Sequence, residues 1–161
     1  MHVTPTSLER TSDTEIVIRR TFRAPAAVVF DAWTKPEYVR RWWAPVSRGV
    51  TLVVCEAELR VGGAYRYVMA RGGEERIGFS GKYLEIERPT RLVYTQGFDP
   101  MPNADAIVTV SFTELAGVTS LVAHERYPSK QALEGAIGAG MEAGMRETFE
   151  LLAELVESMG D

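Results

Sequence analysis

The chain has 161 residues, of which 45% are apolar and 25% are charged, a composition typical of one globular domain with a sizeable core. Its net charge is −4 and no basic stripe occurs, so we expect no nucleic-acid partner and no polybasic attachment to a membrane. The single cysteine, Cys55, cannot form an internal disulfide, and neither a signal peptide nor a stretch of about 18 apolar residues occurs. These features predict a cytoplasmic protein that is not inserted into a membrane.

The first part of the chain predicts a tail, a strand and two short helices. Residues 1–13 are polar and show no periodicity, which predicts a flexible tail before a single domain over 14–161. Pro25 favours a helix start, Pro36 begins a second helix, and Pro45 disfavours a helical residue before it. The predicted elements are a strand at 15–24 and helices at 26–34 and 36–43.

From Val50 onward the pattern is that of an antiparallel meander. Strand-like segments alternate with turn signals such as Gly62-Gly63 and Gly72-Gly73. The apolar phase slips at Leu84 and Ile86, which predicts a β-bulge where that strand bends. The predicted strands lie at 50–60, 64–70, 75–87, 91–98, 106–115 and 118–127, with a mobile loop, DPMPNAD, at 99–105.

After Pro128 the periodicity becomes helical. Ser129 is suited to cap a helix, and apolar residues fall near one face of a predicted long helix over 129–158. This segment contains four glycines, each of which costs roughly 0.8–1 kcal/mol relative to alanine inside a helix. They indicate a close approach to the sheet or space left for another group, and a break near 135–140 is the alternative. The glycines are Gly135, Gly138, Gly140 and Gly144.

Four stretches in this order resemble a known family. They are FRAPAAVVFDAWTKPEYVRRWWAP at 22–45, RVGGAYRY at 60–67, GKYLEIERPTRLVYT at 81–95 and GMEAGMRETFELLAEL at 140–155. They resemble the family named after the C-terminal domain of the activator of Hsp90 ATPase, within the START/Bet v 1-like superfamily. The resemblance implies an α+β helix-grip fold. In that fold a curved seven-stranded antiparallel sheet wraps around a long C-terminal helix, and two short helices follow the first strand.

The resemblance also implies a cavity between the sheet and the long helix. Relatives in the superfamily bind lipids, plant hormones or polyketides, and some cyclise polyketides. Met145 stands where the family often has tryptophan, and a flexible thioether there would reshape the cavity floor. Animal co-chaperones of the family carry an additional N-terminal domain, so we expect this chain not to share their Hsp90 role.

The candidate ligand-binding residues are the aromatic, methionine and glutamine side chains expected to face that cavity. Trp42 and Trp43 are adjacent and point about 100° apart, so we expect one ring in the core and one at the cavity mouth. Trp33 is expected in the core. Plain packing of both rings, and tyrosines that reach solvent at the sheet edge, are the alternatives. The candidates are Trp42, Trp43, Tyr65, Tyr67, Phe79, Tyr83, Tyr94, Gln96, Phe112, Met141 and Met145.

The sequence contains no nucleophile motif, no phosphate-binding glycine loop and no cluster of metal-ligating residues, so we predict no catalytic residue, no metal site and no cofactor. His124 has no second histidine nearby, so we do not expect it to hold a metal ion. Glu58 and Arg60 share a strand face and predict an ion pair, and Glu125 with Arg126 is interpreted likewise.

The leading hypothesis is a non-enzymatic protein that binds a hydrophobic or amphipathic small molecule. The alternatives are a cyclase or dehydratase that uses the same cavity, with Tyr, Glu or His as acid or base, and an Hsp90-type interaction domain. A homodimer is compatible with the sequence.

Overall fold

The computed structural model describes residues 5–159, which form one antiparallel sheet and four helices in that range. The strands are β1 (Ser7–Arg10), β2 (Glu15–Phe22), β3 (Val50–Ala57), β4 (Ala64–Arg71), β5 (Glu75–Glu87), β6 (Arg91–Phe98), β7 (Met101–Leu115) and β8 (Val118–Arg126). The helices are α1 (Ala26–Thr34), α2 (Pro36–Val39), α3 (Lys130–Gly138) and α4 (Met141–Met159). The sheet order is β1-β2-β8-β7-β6-β5-β4-β3. None of the helices within 5–159 is long and apolar enough to cross a membrane.

The helix-grip architecture is confirmed, with eight strands in the described chain rather than seven. The face of the sheet that turns toward α4, here called the inner face, carries the core. Helix α4 buries Phe149, Leu152 and Val156 against it. Arg20 on β2 is buried on the same face and forms an ion pair with Glu150, which ties α4 to the sheet.

The additional strand lies in the segment that the sequence predicts to be a flexible tail. Residues 7–10 pair with β2, with Leu8 opposite Ile18, so the tail prediction is wrong there. Thr6 is buried and its hydroxyl accepts a hydrogen bond from Arg20 at 3.0 Å. These four residues are mostly charged or polar and show no alternation of apolar and polar side chains, so the sequence pattern did not predict a strand there. The rest of that prediction, at residues 1–4, lies outside the described residues.

The predicted loop at 99–105 is also largely strand. Phe98 pairs with Met101, so only Asp99 and Pro100 form the turn, and β7 begins directly after it. The register of the ladder shifts between Gln96 and Phe98, which accommodates the irregular start of β7. Pro102 and Asn103 favour a turn, but pairing with β6 holds them in the first residues of β7.

Two further register shifts bend the sheet. One lies between Tyr83 and Glu85 on β5, which confirms the bulge that the apolar phase predicts. The other lies between Leu52 and Val54 on β3, an edge strand of the sheet. Bulges increase local twist, so they help the sheet to curve around α4.

The predicted single C-terminal helix is two helices. Ser129 caps α3 as predicted, because its hydroxyl accepts the amide of Ala132 at 3.0 Å. Gly140 separates the helices with a φ of +86°, so the alternative of a break is correct. A side chain at Gly135 would lie 2.4 Å from the Met101 methyl carbon, which shows a close approach to β7 there. An added Cβ at Gly144 would meet nothing within 4 Å.

Candidate functional site

A small cavity lies between the inner face of β4–β6 and two tryptophans, of which Trp33 is on α1 and Trp43 follows α2. The volume of this cavity is about 20 Å³, which is room for about one water molecule. No side chain of α4 is among those around it in the described chain, although the resemblance implies a cavity against that helix. The lining residues are Trp33, Trp43, Tyr65, Tyr67, Tyr83, Leu92, Tyr94 and Gln96.

The adjacent tryptophans have different surroundings. Trp42 is 2% exposed, and its ring packs on Trp33 at 5.2 Å between centroids. Trp43 is half-buried, lines the cavity and makes edge contacts with Tyr67 at 5.1 Å and Phe79 at 4.8 Å. Trp33 was expected in the core, but it is half-buried and forms part of the cavity wall. The cavity therefore has two tryptophan neighbours, and Trp42 is not one of them.

Four tyrosines form the sheet side of the cavity. They follow from strand alternation, since Tyr65 and Tyr67 share the inner face of β4, Tyr83 lies on β5 and Tyr94 on β6. The Tyr65 ring lies 5.0 Å from Tyr67, 5.7 Å from Tyr83 and 5.7 Å from Tyr94, between centroids. All four are at most 8% exposed, so the alternative that they reach solvent at the sheet edge is wrong.

The position of the Tyr65 ring depends on a glycine. The Tyr65 hydroxyl donates to the carbonyl oxygen of Thr95 at 2.9 Å, two strands away. An added Cβ at Gly81 would lie 1.7 Å from that oxygen and 2.7 Å from a Tyr65 ring carbon. Only glycine leaves room for the ring to cross β5 at this point.

Burial keeps the phenols protonated. It raises the pKa of Tyr65, Tyr67, Tyr83 and Tyr94, because a phenolate would be desolvated among these rings. A hydrogen bond from Tyr67 partly offsets the increase in the pKa of Tyr83. At neutral pH the hydroxyls of Tyr83 and Tyr94 can therefore donate a hydrogen bond to a polar group in the cavity, whereas the Tyr65 hydrogen is directed to Thr95 and the Tyr67 hydrogen to Tyr83.

Glu125 is a buried acid that the sequence interpretation misassigned. It does not pair with Arg126, because neighbours on a strand point to opposite faces. Its side chain accepts the Tyr127 hydroxyl at 2.8 Å and is 9% exposed. Burial raises the pKa of the Glu125 carboxyl. The available signal was its shared face with the buried Leu121 and Ala123 on the same strand.

The remaining candidates lie outside the cavity lining. Phe112 is 2% exposed and packs against Phe30 at 5.3 Å. Phe79 stacks on Phe98 and makes an edge contact with Trp43, while Met141 and Met145 are half-buried against the core. Together with Trp42, these are the residues that the structure does not bring to the cavity wall.

The other charged candidates are structural. The predicted pair of Arg60 and Glu58 is confirmed at 2.7 Å. His124 lies on the face opposite Glu125, with its Nε2 2.8 Å from a Glu15 oxygen. Within residues 5–159, no group of His, Cys, Asp or Glu is arranged to hold a metal ion.

Solved bacterial structures share this fold. A protein from Rhodobacter sphaeroides is similar over 95% of this chain and 99% of its own, with a TM-score of 0.86 and 24% identity. A protein from Chromobacterium violaceum is 28% identical, with a TM-score of 0.79 over 91% of this chain and 99% of its own. A protein from Rhizobium leguminosarum is 26% identical, with a TM-score of 0.71 over 96% of this chain and 99% of its own.

No curated protein matches the chain in sequence. The sequence model of one family matches residues 23–157, which include both tryptophans of the cavity wall and all four tyrosines. Because that match covers most of the chain, it is decisive for family membership. The chain belongs to the family of activator of Hsp90 ATPase homolog 1-like proteins.

Proposed function

We propose that this protein binds a hydrophobic or amphipathic small molecule in a cavity between the sheet and the helices. The observation that carries the proposal is a buried site whose wall is aromatic but contains several polar groups. Apolar walls with few convergent donors are typical of small-molecule sites. Tyrosine hydroxyls and the Gln96 amide would orient a ligand, and the rings would supply the apolar contact.

Binding requires this cavity to expand, because about 20 Å³ holds no molecule larger than water. The helices above the sheet offer the means. Met141 and Met145 are half-buried and have flexible side chains, and Gly144 beside them leaves open space. The break at Gly140 separates α3 from α4, so the helical layer is not one continuous rod.

The direct test is native mass spectrometry of freshly purified protein, which identifies a co-purified molecule by its mass. A matched pair of variants locates it. Leu92→Phe adds volume to the cavity wall, whereas Val68→Phe adds a ring on β4 outside the cavity lining. We expect the adduct to be lost from the first variant and kept by the second, with both folded by circular dichroism.

If no adduct forms and a panel of fatty acids and aromatic compounds leaves tryptophan emission unchanged, the proposal is wrong. That result would favour the interaction-domain alternative, which predicts a filled cavity.

A cyclase or dehydratase is the second candidate, and the buried carboxyl of Glu125, which lies on the inner face but outside the present cavity lining, favours it. General acid–base chemistry uses carboxyl groups whose pKa is raised by burial, and burial raises the pKa of Glu125. For an enzyme, Glu125→Gln would abolish turnover while the ligand still binds. For a binding protein, no turnover of the co-purified molecule would be detected in either form.

A further inference from the structure

The cavity wall carries hydrogen-bonding groups but no charged side chain. None of the residues that line it in the described chain is an acid, a lysine, an arginine or a histidine. A charged group that enters such an enclosure loses its hydration and finds no counter-charge, which costs free energy. The wall therefore favours a neutral ligand, and its own hydrogen-bonding groups decide which neutral group fits.

Two of the four phenol hydrogens on this wall are already used within the protein. A phenol has one hydrogen to donate. The Tyr65 hydroxyl donates its hydrogen to the carbonyl oxygen of Thr95 at 2.9 Å, and Tyr67 donates to the hydroxyl oxygen of Tyr83. Neither of these hydrogens is available to a ligand.

The hydrogens of Tyr83 and Tyr94 are free. Each of these two hydroxyl oxygens accepts a hydrogen bond, Tyr83 from Tyr67 and Tyr94 from the Trp33 side chain. In the part of the chain that the structure describes, neither hydroxyl donates a hydrogen bond of its own. A hydroxyl that accepts one hydrogen bond is polarised and becomes a stronger donor. Both groups therefore lack an acceptor.

The two free donors belong to one cavity. Tyr83 on β5 and Tyr94 on β6 are direct cross-strand partners, and their ring centroids are 6.3 Å apart. Directly opposite side chains point to the same face of a sheet. Both residues line the cavity, whose volume of about 20 Å³ suits a group of the size of one oxygen atom. An oxygen that enters this space therefore lies beside both tyrosines.

A carbonyl oxygen matches this arrangement better than other polar groups. It has two lone pairs that can accept two donors, and it brings no hydrogen of its own. An ammonium group offers only donors, so it would leave both phenol hydrogens without an acceptor. Only the carbonyl needs the present space, and the remainder of a ligand needs the expansion that the proposed function requires.

We infer that the ligand of this cavity carries a carbonyl group, whose oxygen accepts hydrogen bonds from the hydroxyls of Tyr83 and Tyr94. The inference rests on the proposed function, because it names the polar group of the ligand that the same site binds. It also makes these two tyrosines the residues that select that group.

The test uses three probes of similar shape at pH 7. Acetophenone has the carbonyl, α-methylstyrene has a CH₂ group in place of its oxygen, and 1-phenylethylamine is protonated. Their affinities are measured by calorimetry on the full chain. We expect Tyr83→Phe and Tyr94→Phe each to weaken acetophenone binding about threefold to tenfold, the effect of one lost hydrogen bond. Both variants should leave α-methylstyrene binding unchanged, and the amine should bind more weakly than acetophenone.

A matched control removes a phenol hydroxyl outside the cavity. Tyr38→Phe does so on α2, at a residue that is not part of the lining, and it should leave the affinities for all three probes unchanged. An infrared measurement separates a hydrogen bond from an effect on packing. The carbonyl stretching band of bound acetophenone should lie at a lower frequency in the wild type than in either cavity variant, because accepted hydrogen bonds weaken the C=O bond.

The outcomes distinguish the inference from the proposed function. Equal losses of affinity for acetophenone and α-methylstyrene, or a carbonyl band that neither variant shifts, would overturn the inference and leave the proposed function standing. Tighter binding of the amine than of acetophenone would do the same. Failure of all three probes to bind would overturn both. If neither variant folds, the wild-type complex decides the matter, because its carbonyl band must lie below that of acetophenone in hexane.

Discussion

The indole N–H of Trp42 donates to the carbonyl oxygen of Ala32 at 2.8 Å. In a continuing helix that carbonyl would accept the amide of residue 36, but Pro36 has no N–H. The same proline that separates α1 from α2 thus leaves a buried acceptor, and a tryptophan from the following turn satisfies it. This explains why one ring of the adjacent pair belongs to the core.

Trp42→Phe should therefore destabilise the protein by about 1–3 kcal/mol, the cost of leaving a buried carbonyl without its donor. Trp43→Phe is the matched control, because that ring is half-buried and packs edge-on against Tyr67 and Phe79, contacts that phenylalanine can largely keep. We expect the control to cost less than 1 kcal/mol in urea unfolding. Equal losses of stability in the two variants would contradict the different roles of the two rings.

Trp43→Phe should instead affect the optical response to a ligand. A fluorescence-silent ligand that enters the cavity displaces water from the Trp43 ring and changes its emission. The variant should lose much of this change, while Trp42→Phe keeps it. Trp33 also lines the cavity, so a residual signal is expected from it. A full response in Trp43→Phe would show that this ring does not face the ligand.

Gly81→Ala should be among the more damaging single substitutions in the sheet. Its Cβ would lie 1.7 Å from the carbonyl oxygen of Thr95, a backbone atom that cannot move without breaking the local ladder. We expect a loss of about 3 kcal/mol or more in the free energy of unfolding. Gly73→Ala is the control, because an added Cβ there meets nothing within 4 Å. A Gly81 variant as stable as the control would mean that β6 yields easily at Thr95.

The regular strands could be predicted from the sequence, because their signals are local. The bounds of β5 and β6 follow from alternation and from turn residues on both sides, and even the bulge beside Leu84 was visible as a change of phase. The start of β7 was missed because Pro102 and Asn103 favour turns, and only pairing with β6 keeps them in a strand. Such pairing is a tertiary property that no local pattern contains.

The candidate site was predicted in part for the same reason. Alternation brings the four tyrosines and Gln96 to one face, and the structure places all five around the cavity. Alternation does not tell how far a side chain lies from the cavity, so Phe112 and the two methionines were included although they pack elsewhere. Trp33 was missed because its position depends on how α1 docks on the sheet.

Acid should weaken the contact between α1 and the end of β5. Asp31 forms two hydrogen bonds with Arg88, each of 2.9 Å, and these lower the pKa of its carboxyl. A lowered pKa contributes stability above the unfolded value of about 3.9. That contribution is lost as the pH falls through the folded value. Melting temperatures of the wild type and Asp31→Asn should therefore differ at pH 6, and the difference should shrink progressively as the pH falls below about 4. A constant difference would show that the pair is not ionic.

Glu125→Gln should be at least as stable as the wild type at neutral pH. Burial raises the pKa of the Glu125 carboxyl, so its contribution to stability is present below the unfolded pKa and is lost as the pH rises through the folded one. The amide keeps the hydrogen bond from Tyr127 and has no charge to desolvate. Tyr65, Tyr94 and Tyr127 stay protonated throughout, and His124 faces the other side of the sheet.

Urea unfolding at pH 5 and pH 8 measures this difference, which should grow with pH in favour of the variant. Glu87→Gln, at an exposed position on β5, should show no such trend. A Glu125 variant that is much less stable at both pH values would indicate a purely structural acid.

Met145→Trp restores the residue that the family often has at this position and should reduce the space available when the cavity expands. We expect the affinity for a large apolar ligand to fall about tenfold, which corresponds to ~1.4 kcal/mol, with little change in melting temperature. Met159→Trp, at the far end of α4, is the control and should leave binding unchanged. Unchanged binding in Met145→Trp would place this side chain outside the expanded cavity.

The register shift on β3 has a consequence for self-association. An open sheet has two edges whose unpaired amides and carbonyls can recruit a strand from another molecule and start aggregation. One edge here is β3, where the shift beside Val53 interrupts the regular spacing of those groups. The other is β1, only four residues long, with Glu9 and Arg10 among them. Both edges are poor templates for strand addition, so a homodimer of this chain would have to form through another surface.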